Sequence, residues 1–182
     1  MNIWILYSIY IENRLDLMPH EPPIEIRPTH TLCFITRGDH VLMLKRRKPP
    51  NLGMWNGVGG KIELGESPLD ACLREIREET GFRMLTATFG GILSWQHIGR
   101  GRGSVYLYTT PGPSTKPNAC SEGILRWQPR NWIFSSQNVV ANIHIFGPHL
   151  LSDENPREYH FRYRDGNITS HEFRPLPEYI LG

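Results

Sequence analysis

Long apolar runs are missing from this chain, and with them any obvious membrane span. The longest stretch of that character, residues 3–11, covers nine positions, about half of the ~20 that a helix needs to cross a bilayer. It has neither a basic start nor a small-residue cleavage site, so it does not read as a signal peptide. Cysteine is scarce as well. Cys33, Cys72 and Cys120 are odd in number, widely spaced and without a C-x-x-C pair, which argues against a disulfide framework and against redox or metal duty. Cys33 and Cys72 fall in apolar segments and are expected to be buried free thiols. A reducing cytoplasm is the expected compartment. The eight histidines are scattered without ligand spacing. No charge of one sign dominates either: the net charge is +2, so neither a nucleic acid nor a membrane surface is called for as a partner. No internal repeat is visible.

What remains is enough for one real core. The chain has 182 residues, 39% hydrophobic and 21% charged, in the range of a single domain. Residues 1–23 read as an N-terminal extension and linker. Positions 1–17 are an ordered extra segment, a disordered tail or the product of a start upstream of Met18, and are expected to be dispensable. Four prolines between 19 and 28 suit an extended lead into the domain at 24–182. Residues 31–36 and 40–45 are β-rich and joined by Arg37-Gly38-Asp39, a hairpin signal. Residues 87–96 and 103–110 are further strands linked through a Gly-Arg-Gly-Arg-Gly turn. Residues 111–117 form a loop, 124–127 a short strand, and 159–173 a terminal hairpin turning at Asp165-Gly166. The four basic residues Lys45-Arg46-Arg47-Lys48 end the second strand, facing either an anionic substrate or solvent. A mixed sheet with helices is the α/β class.

The segment that decides the chemistry lies between. Ser67 suits an N-cap, Pro68 the first helical position, Asp70 the capping-box position and Gly81 the left-handed residue past the last turn. They frame a helix over 68–80, with Leu69, Cys72, Leu73 and Ile76 as its apolar stripe. At about 100° per residue, Glu75, Glu78 and Glu79 fill an arc at the edge of that stripe. Glu63 and Glu66 add acids on the loop before it. Three carboxylates so close repel one another, and partial burial adds to the cost. Either they hold extra protons or cations hold them together, and hard oxygen ligands favour Mg²⁺ or Mn²⁺ shared with a phosphate. Arg74 stands one residue before Glu75 and four before Glu78, placed to orient a ligand or to pair with Glu66. Taken alone, such a run is more often a solvated helix face with i, i+4 ion pairs. The glycines at both ends and the spaced upstream glutamate reverse that.

Residues 60–82 resemble the Nudix box, G-x5-E-x7-R-E-U-x-E-E-x-G-U, where U is a bulky apolar residue. Gly60, Glu66, Arg74, Glu75, Ile76, Glu78, Glu79, Gly81 and Phe82 fill every specified position. The resemblance to Nudix hydrolases implies an α/β/α sandwich with a mixed sheet and a loop–helix–loop motif. It also implies a divalent metal, Mg²⁺ or Mn²⁺, and hydrolysis of a nucleoside diphosphate linked to a further group. By motif position, Glu75, Glu78 and Glu79 would be metal ligands, the Gly59 or Gly60 carbonyl a fourth ligand, and Arg74 with Glu66 a supporting pair. Glu122, just before the strand at 124, is the acid outside the box expected to join as metal ligand or base. Whether Glu75 or Glu122 activates the water stays open.

Residues 55–61, Trp-Asn-Gly-Val-Gly-Gly-Lys, are similar to the segment preceding the box in 8-oxo-dGTP diphosphatases. That likeness makes Asn56 the first base-reading candidate, against a plain turn residue beside Gly57. Lys61 becomes a phosphate contact, against a solvated lysine. In the animal enzymes of that activity a tryptophan and paired aspartates hold the oxidised base. Here the corresponding Val139-Val140-Ala141-Asn142 has neither, which leaves Asn142 as a second candidate. Trp55, Trp95, Trp127 and Trp132 are expected to pack rather than stack on a base. The leading expectation is a (d)NTP diphosphatase acting on oxidised purines and releasing the monophosphate and pyrophosphate. Its rivals are a Nudix hydrolase of ADP-ribose or a dinucleoside polyphosphate, and a non-catalytic nucleotide sensor. The partner is a small-molecule nucleotide, and the oligomeric state is left open.

Overall fold

The computed structural model describes residues 27–181, apart from Arg100 and Asp153. The expected extension at 1–17, and most of the proline-rich lead, lie outside the described residues. One mixed sheet carries the domain. Its strands are β1 (Thr31–Arg37), β2 (His40–Arg46), β3 (Trp55–Asn56), β4 (Thr88–His97), β5 (Gly101–Pro111), β6 (Gly123–Pro129), β7 (Arg157–Arg164) and β8 (Asn167–Arg174). They run in the order β3-β2-β1-β5-β4-β7-β8, with β6 paired to β2. The β1–β5 and β4–β7 pairs are parallel, and the remaining strand pairs are antiparallel.

Period-two alternation sorts the strands' side chains between two cores. Cys33, Ile35 and Leu42 point to one face, where Cys72 and Ile76 of helix α1 (Pro68–Thr80) cover them. Phe34, Val41 and Met43 point to the other, beneath α2 (Arg130–Ile133) and α3 (Ile143–Leu150). The expected α/β/α sandwich is therefore what the chain forms. A short helix, α4 (Glu178–Leu181), follows the last strand. Among the described residues no helix is long and apolar enough to cross a membrane.

The frame of α1 matches its local signals. Ser67 Oγ accepts from the Asp70 amide at 3.1 Å, and Gly81, at φ 76°, donates its N–H to the Arg77 carbonyl. The terminal hairpin turns at Asp165 and Gly166, both at positive φ, as a two-residue connection requires. The hairpin between β4 and β5 is tighter than the sequence suggests. β5 starts at Gly101 rather than 103 because Gly101 and Arg102 already pair with His97 and Gln96. The sequence reading did not assign β3, α2 or α3. Thiols Cys33 and Cys72 are buried and free, as expected.

One feature of the sheet places the site. β1 pairs with the first half of β2 through Ile35, Thr36 and Arg37, and then the two strands part. Residues 55–61 fill the gap. On one side Trp55 and Asn56 pair with Lys45 and Leu44 of β2. On the other, Val58 and Cys33 exchange backbone bonds of 3.0 and 2.6 Å, and Thr31 donates to the Gly60 carbonyl at 2.8 Å. Trp55 and Val58 of the inserted loop still reach the cores, but at Gly57 the chain runs too close to β1 for a side chain. A Cβ on Gly57 would come within 2.8 Å of the Cys33 carbonyl.

Candidate active site

The wedged loop and α1 face each other, and Arg74 joins them. Its guanidinium makes a two-pronged contact with Glu66, Nε to Oε1 at 2.7 Å and Nη2 to Oε2 at 2.9 Å. Nη2 also donates to the Lys61 carbonyl at 2.9 Å. Nη1 donates to Glu75 at 2.9 Å and to Glu78 at 3.3 Å. All five N–H donors of the fork are thus engaged. Glu66 in turn accepts from the Glu63 amide, and the Arg74 contact, aided by that amide, holds its carboxyl down at about 2. Glu63 itself is exposed and offers the site only its backbone.

The three helix glutamates differ sharply in setting. Glu79 is buried, 5% exposed, and its Oε2 accepts from the Gly59 amide at 2.9 Å. Burial pushes its carboxyl up to about 8, opposed by the Gly59 bond and reinforced by the charges of Glu75 and Glu122. Glu75 is half-buried, and burial raises its pKa despite Arg74. Its carboxylate lies so close to Gly60 that a Cβ there would fall on it. Glu78 is the exposed member, with 53% of its side chain accessible. Glu122 arrives from the segment before β6, flanked by Lys48 at 3.4 Å and Arg46 at 3.9 Å. Its charge acts on both Glu75 and Glu79, so the fold brings the distant acid to the helix acids. As they stand, no three acidic, imidazole or thiol side chains among the described residues converge tightly enough to hold an ion. Arg74 Nη1 bridges Glu75 and Glu78 instead.

These carboxylates line one end of a cavity of about 1010 Å³, ample for a nucleotide-sized ligand. Gly59, Gly60, Lys61 and Asn56 line it too. Asn56 lies on β3 rather than in a turn, although its Oδ1 does accept the Gly57 amide at 2.9 Å. Asn142 also reaches the cavity, its Nδ2 donating to the Tyr163 hydroxyl at 3.1 Å. Among the tryptophans, Trp55 and Trp132 pack edge to face at 6.0 Å, and Trp127 lies 4.0 Å beneath the Arg37 guanidinium. Trp95 alone of these four lines the cavity. Arg46, one of the four basic residues expected to face an anionic substrate or solvent, also lines it, as do His97 and Tyr163, which sequence reasoning did not name. Arg46 carried a signal, as the middle of the basic strand end. His97 and Tyr163 carried none.

The NUDIX domain pattern matches residues 26–142. The uncharacterized Nudix hydrolase YvcI of Bacillus subtilis is 38% identical over 65 residues, covering 36% of this chain and 39% of that protein. The oxidized purine nucleoside triphosphate hydrolase of Mus musculus is 33% identical over 70 residues, 38% of this chain and 45% of that protein. The chain thus spans less than half the length of these curated relatives. Among solved structures, the MutT protein from Bacillus halodurans superposes with a TM-score of 0.69 at 26% identity, over 81% of this chain and 98% of that one.

Proposed function

The chain belongs to the NUDIX domain family, and from that premise we propose that it is a divalent-metal-dependent hydrolase of nucleoside triphosphates. Oxidised purine nucleotides such as 8-oxo-dGTP lead as substrates, cut to the monophosphate and pyrophosphate. The observation that carries the reading is the arrangement of Glu75, Glu79 and Glu122. Their charges act on one another at the glycine-lined end of a nucleotide-sized cavity.

The donor set fits a hard cation. It is all oxygen, and a carboxyl held up near 8 by burial and neighbouring acids marks a local excess of negative charge that a divalent ion relieves. Glu75, Glu78 and Glu79 would hold it, with the Gly60 carbonyl and Glu122 as further oxygen donors. The Gly60 oxygen already accepts from Thr31, but a carbonyl has a second lone pair. Such an ion, Mg²⁺ or alternatively Mn²⁺, would neutralise pyrophosphate charge and acidify an attacking water. The chain's own residues do the rest. Arg74 fixes the helix against the loop, the Gly59 amide orients Glu79, and Lys61, on the cavity wall, would contact phosphate. Glu75 and Glu122 are the two candidates to accept the water's proton. Asn56 and Asn142 offer amides to a purine edge. The mouse relative's name supports the choice of oxidised purine triphosphates, and the free buried thiols Cys33 and Cys72 suit a reducing cytoplasm.

Incubation with Mg²⁺ and a nucleotide panel, with phosphate products measured, tests the reading. Turnover of 8-oxo-dGTP well above dGTP is expected, and EDTA should abolish it. Preference for ADP-ribose or a dinucleoside polyphosphate would move the substrate while keeping the hydrolase. Tight nucleotide binding without turnover would make the protein a sensor. Arg74→Lys supplies a separate check. A lysine keeps the charge but cannot engage Glu66 with two prongs while reaching Lys61 and Glu75. A loss of about 10- to 100-fold in kcat/KM is expected, the scale of a support residue behind a metal ligand. Wild-type rates would show that the guanidinium contributes nothing beyond its charge.

A further inference from the structure

The NUDIX match ends at residue 142, but the cavity continues beyond the elements it covers. Its far wall comes from the C-terminal hairpin, through Tyr163 of β7 and Gly166 at the turn. The parallel register of β4 and β7 sets His97 opposite Tyr163 and Trp95 opposite Phe161. Alternation then puts the His97 and Tyr163 rings on the same face as Leu93 and Trp95. The two rings stack, with centroids 4.6 Å apart and planes within 19°. The Tyr163 hydroxyl accepts from Asn142 Nδ2, and Asn142 is itself buried where α3 begins. The ring is thereby held from its face and from its tip. Every Lys, Arg and Glu lining the cavity comes from residues 46–122, the segment that carries the acids. The aromatic end adds aliphatic neighbours such as Leu93 and Val105, paired across β4 and β5, instead. One end suits a phosphate chain, and the other suits a flat, uncharged ring.

We infer that the β7–β8 hairpin supplies the base-recognition wall of this enzyme, with Tyr163, stacked on His97 and pinned by Asn142, as a specificity-determining residue that packs against the nucleobase. This rests on the nucleotide reading above and adds a segment outside the family match. A side chain with this role acts on binding of the base and not on cleavage of the anhydride, so its loss falls on KM.

The test compares wild type, Tyr163→Leu and Tyr163→Phe on a nucleoside triphosphate and on ribose 5-triphosphate, which has the same phosphate chain and no base. Affinity for the nucleoside monophosphate is measured alongside by calorimetry. Tyr163→Leu is expected to raise the nucleotide KM about 5- to 100-fold, the scale of losing one base–aromatic stack, with kcat changed by less than about twofold. Monophosphate affinity should fall in step, while the constants for ribose 5-triphosphate stay put. Tyr163→Phe, which keeps the ring, should restore most of the loss. An unchanged nucleotide KM, or equal losses on both substrates, would overturn the hairpin's role and leave the hydrolase reading intact. A wild type that neither cleaves nor binds any nucleotide would overturn both. Should Tyr163→Leu fail to fold, His97→Ala decides by the same comparison, since it removes the stacking partner from the neighbouring strand.

Discussion

Glu79→Gln is expected to lower kcat/KM by a factor of about a hundred to a thousand, the several kcal/mol that a metal ligand contributes to stabilising charge in the transition state. The folded protein without metal should be no less stable for the change. Glu79 is buried beside two other carboxylates, so its charge opposes folding in the absence of a cation. Glutamine has the same shape and keeps an oxygen for the Gly59 amide. Steady-state kinetics at saturating Mg²⁺, paired with thermal melts in EDTA, reads both effects. Loss of activity together with a large loss of stability would mean that Glu79 is a structural residue. Near-wild-type turnover would remove the metal-site assignment.

A second large effect should come from the opposite face of the sheet. Phe146→Ala is expected to cost about 3–5 kcal/mol of stability, which for a domain of this size lowers Tm by roughly 10 °C. Phe146 is fully buried, and its ring meets Phe34 edge-on at 5.9 Å, Tyr159 at 5.7 Å and Phe161 at 6.4 Å. It is the side chain through which α3 grips both β1 and β7. Truncation leaves a cavity that these aromatic neighbours, fixed on strands, cannot collapse into. Denaturant melts would show the loss. A change below about 1 kcal/mol, the range of a surface substitution, would mean that α3 is held by other contacts. Because Asn142 lies where α3 begins and borders the cavity, the variant should also bind nucleotide more weakly at temperatures where it is still folded.

The helix at 68–80 was legible to the residue because everything that starts and stops it is local: Ser67, Pro68, Asp70 and Gly81 lie within or next to it. Strands β1, β2, β7 and β8 were legible for a similar reason, through alternation and short turns. Helix α3 was not. It contains Gly147 and Pro148, both poor helix residues, and it stands because Ile143, Phe146 and Leu150 are buried against the sheet. Packing overrides propensity there. The two-residue β3 exists only because β1 and β2 part, which no local pattern announces. The acids of the box could be named because they share one continuous stretch. Glu122 needed the resemblance, since its nearness to Glu79 depends on β6 pairing with β2. Tyr163 was beyond reach because it meets His97 only through a parallel pairing of strands 66 positions apart in the chain, and parallel partners leave no turn signal between them.

The Arg74 fork has a wider implication. By clasping Glu66, the Lys61 carbonyl, Glu75 and Glu78 at once, it makes the stretch from Gly59 to Gly81 a self-contained cassette docked into the split between two strands. Its internal geometry owes nothing to the hairpin at the other end of the cleft. A hairpin of different shape would therefore change what the far end of the cleft accepts while leaving the contacts inside the cassette intact.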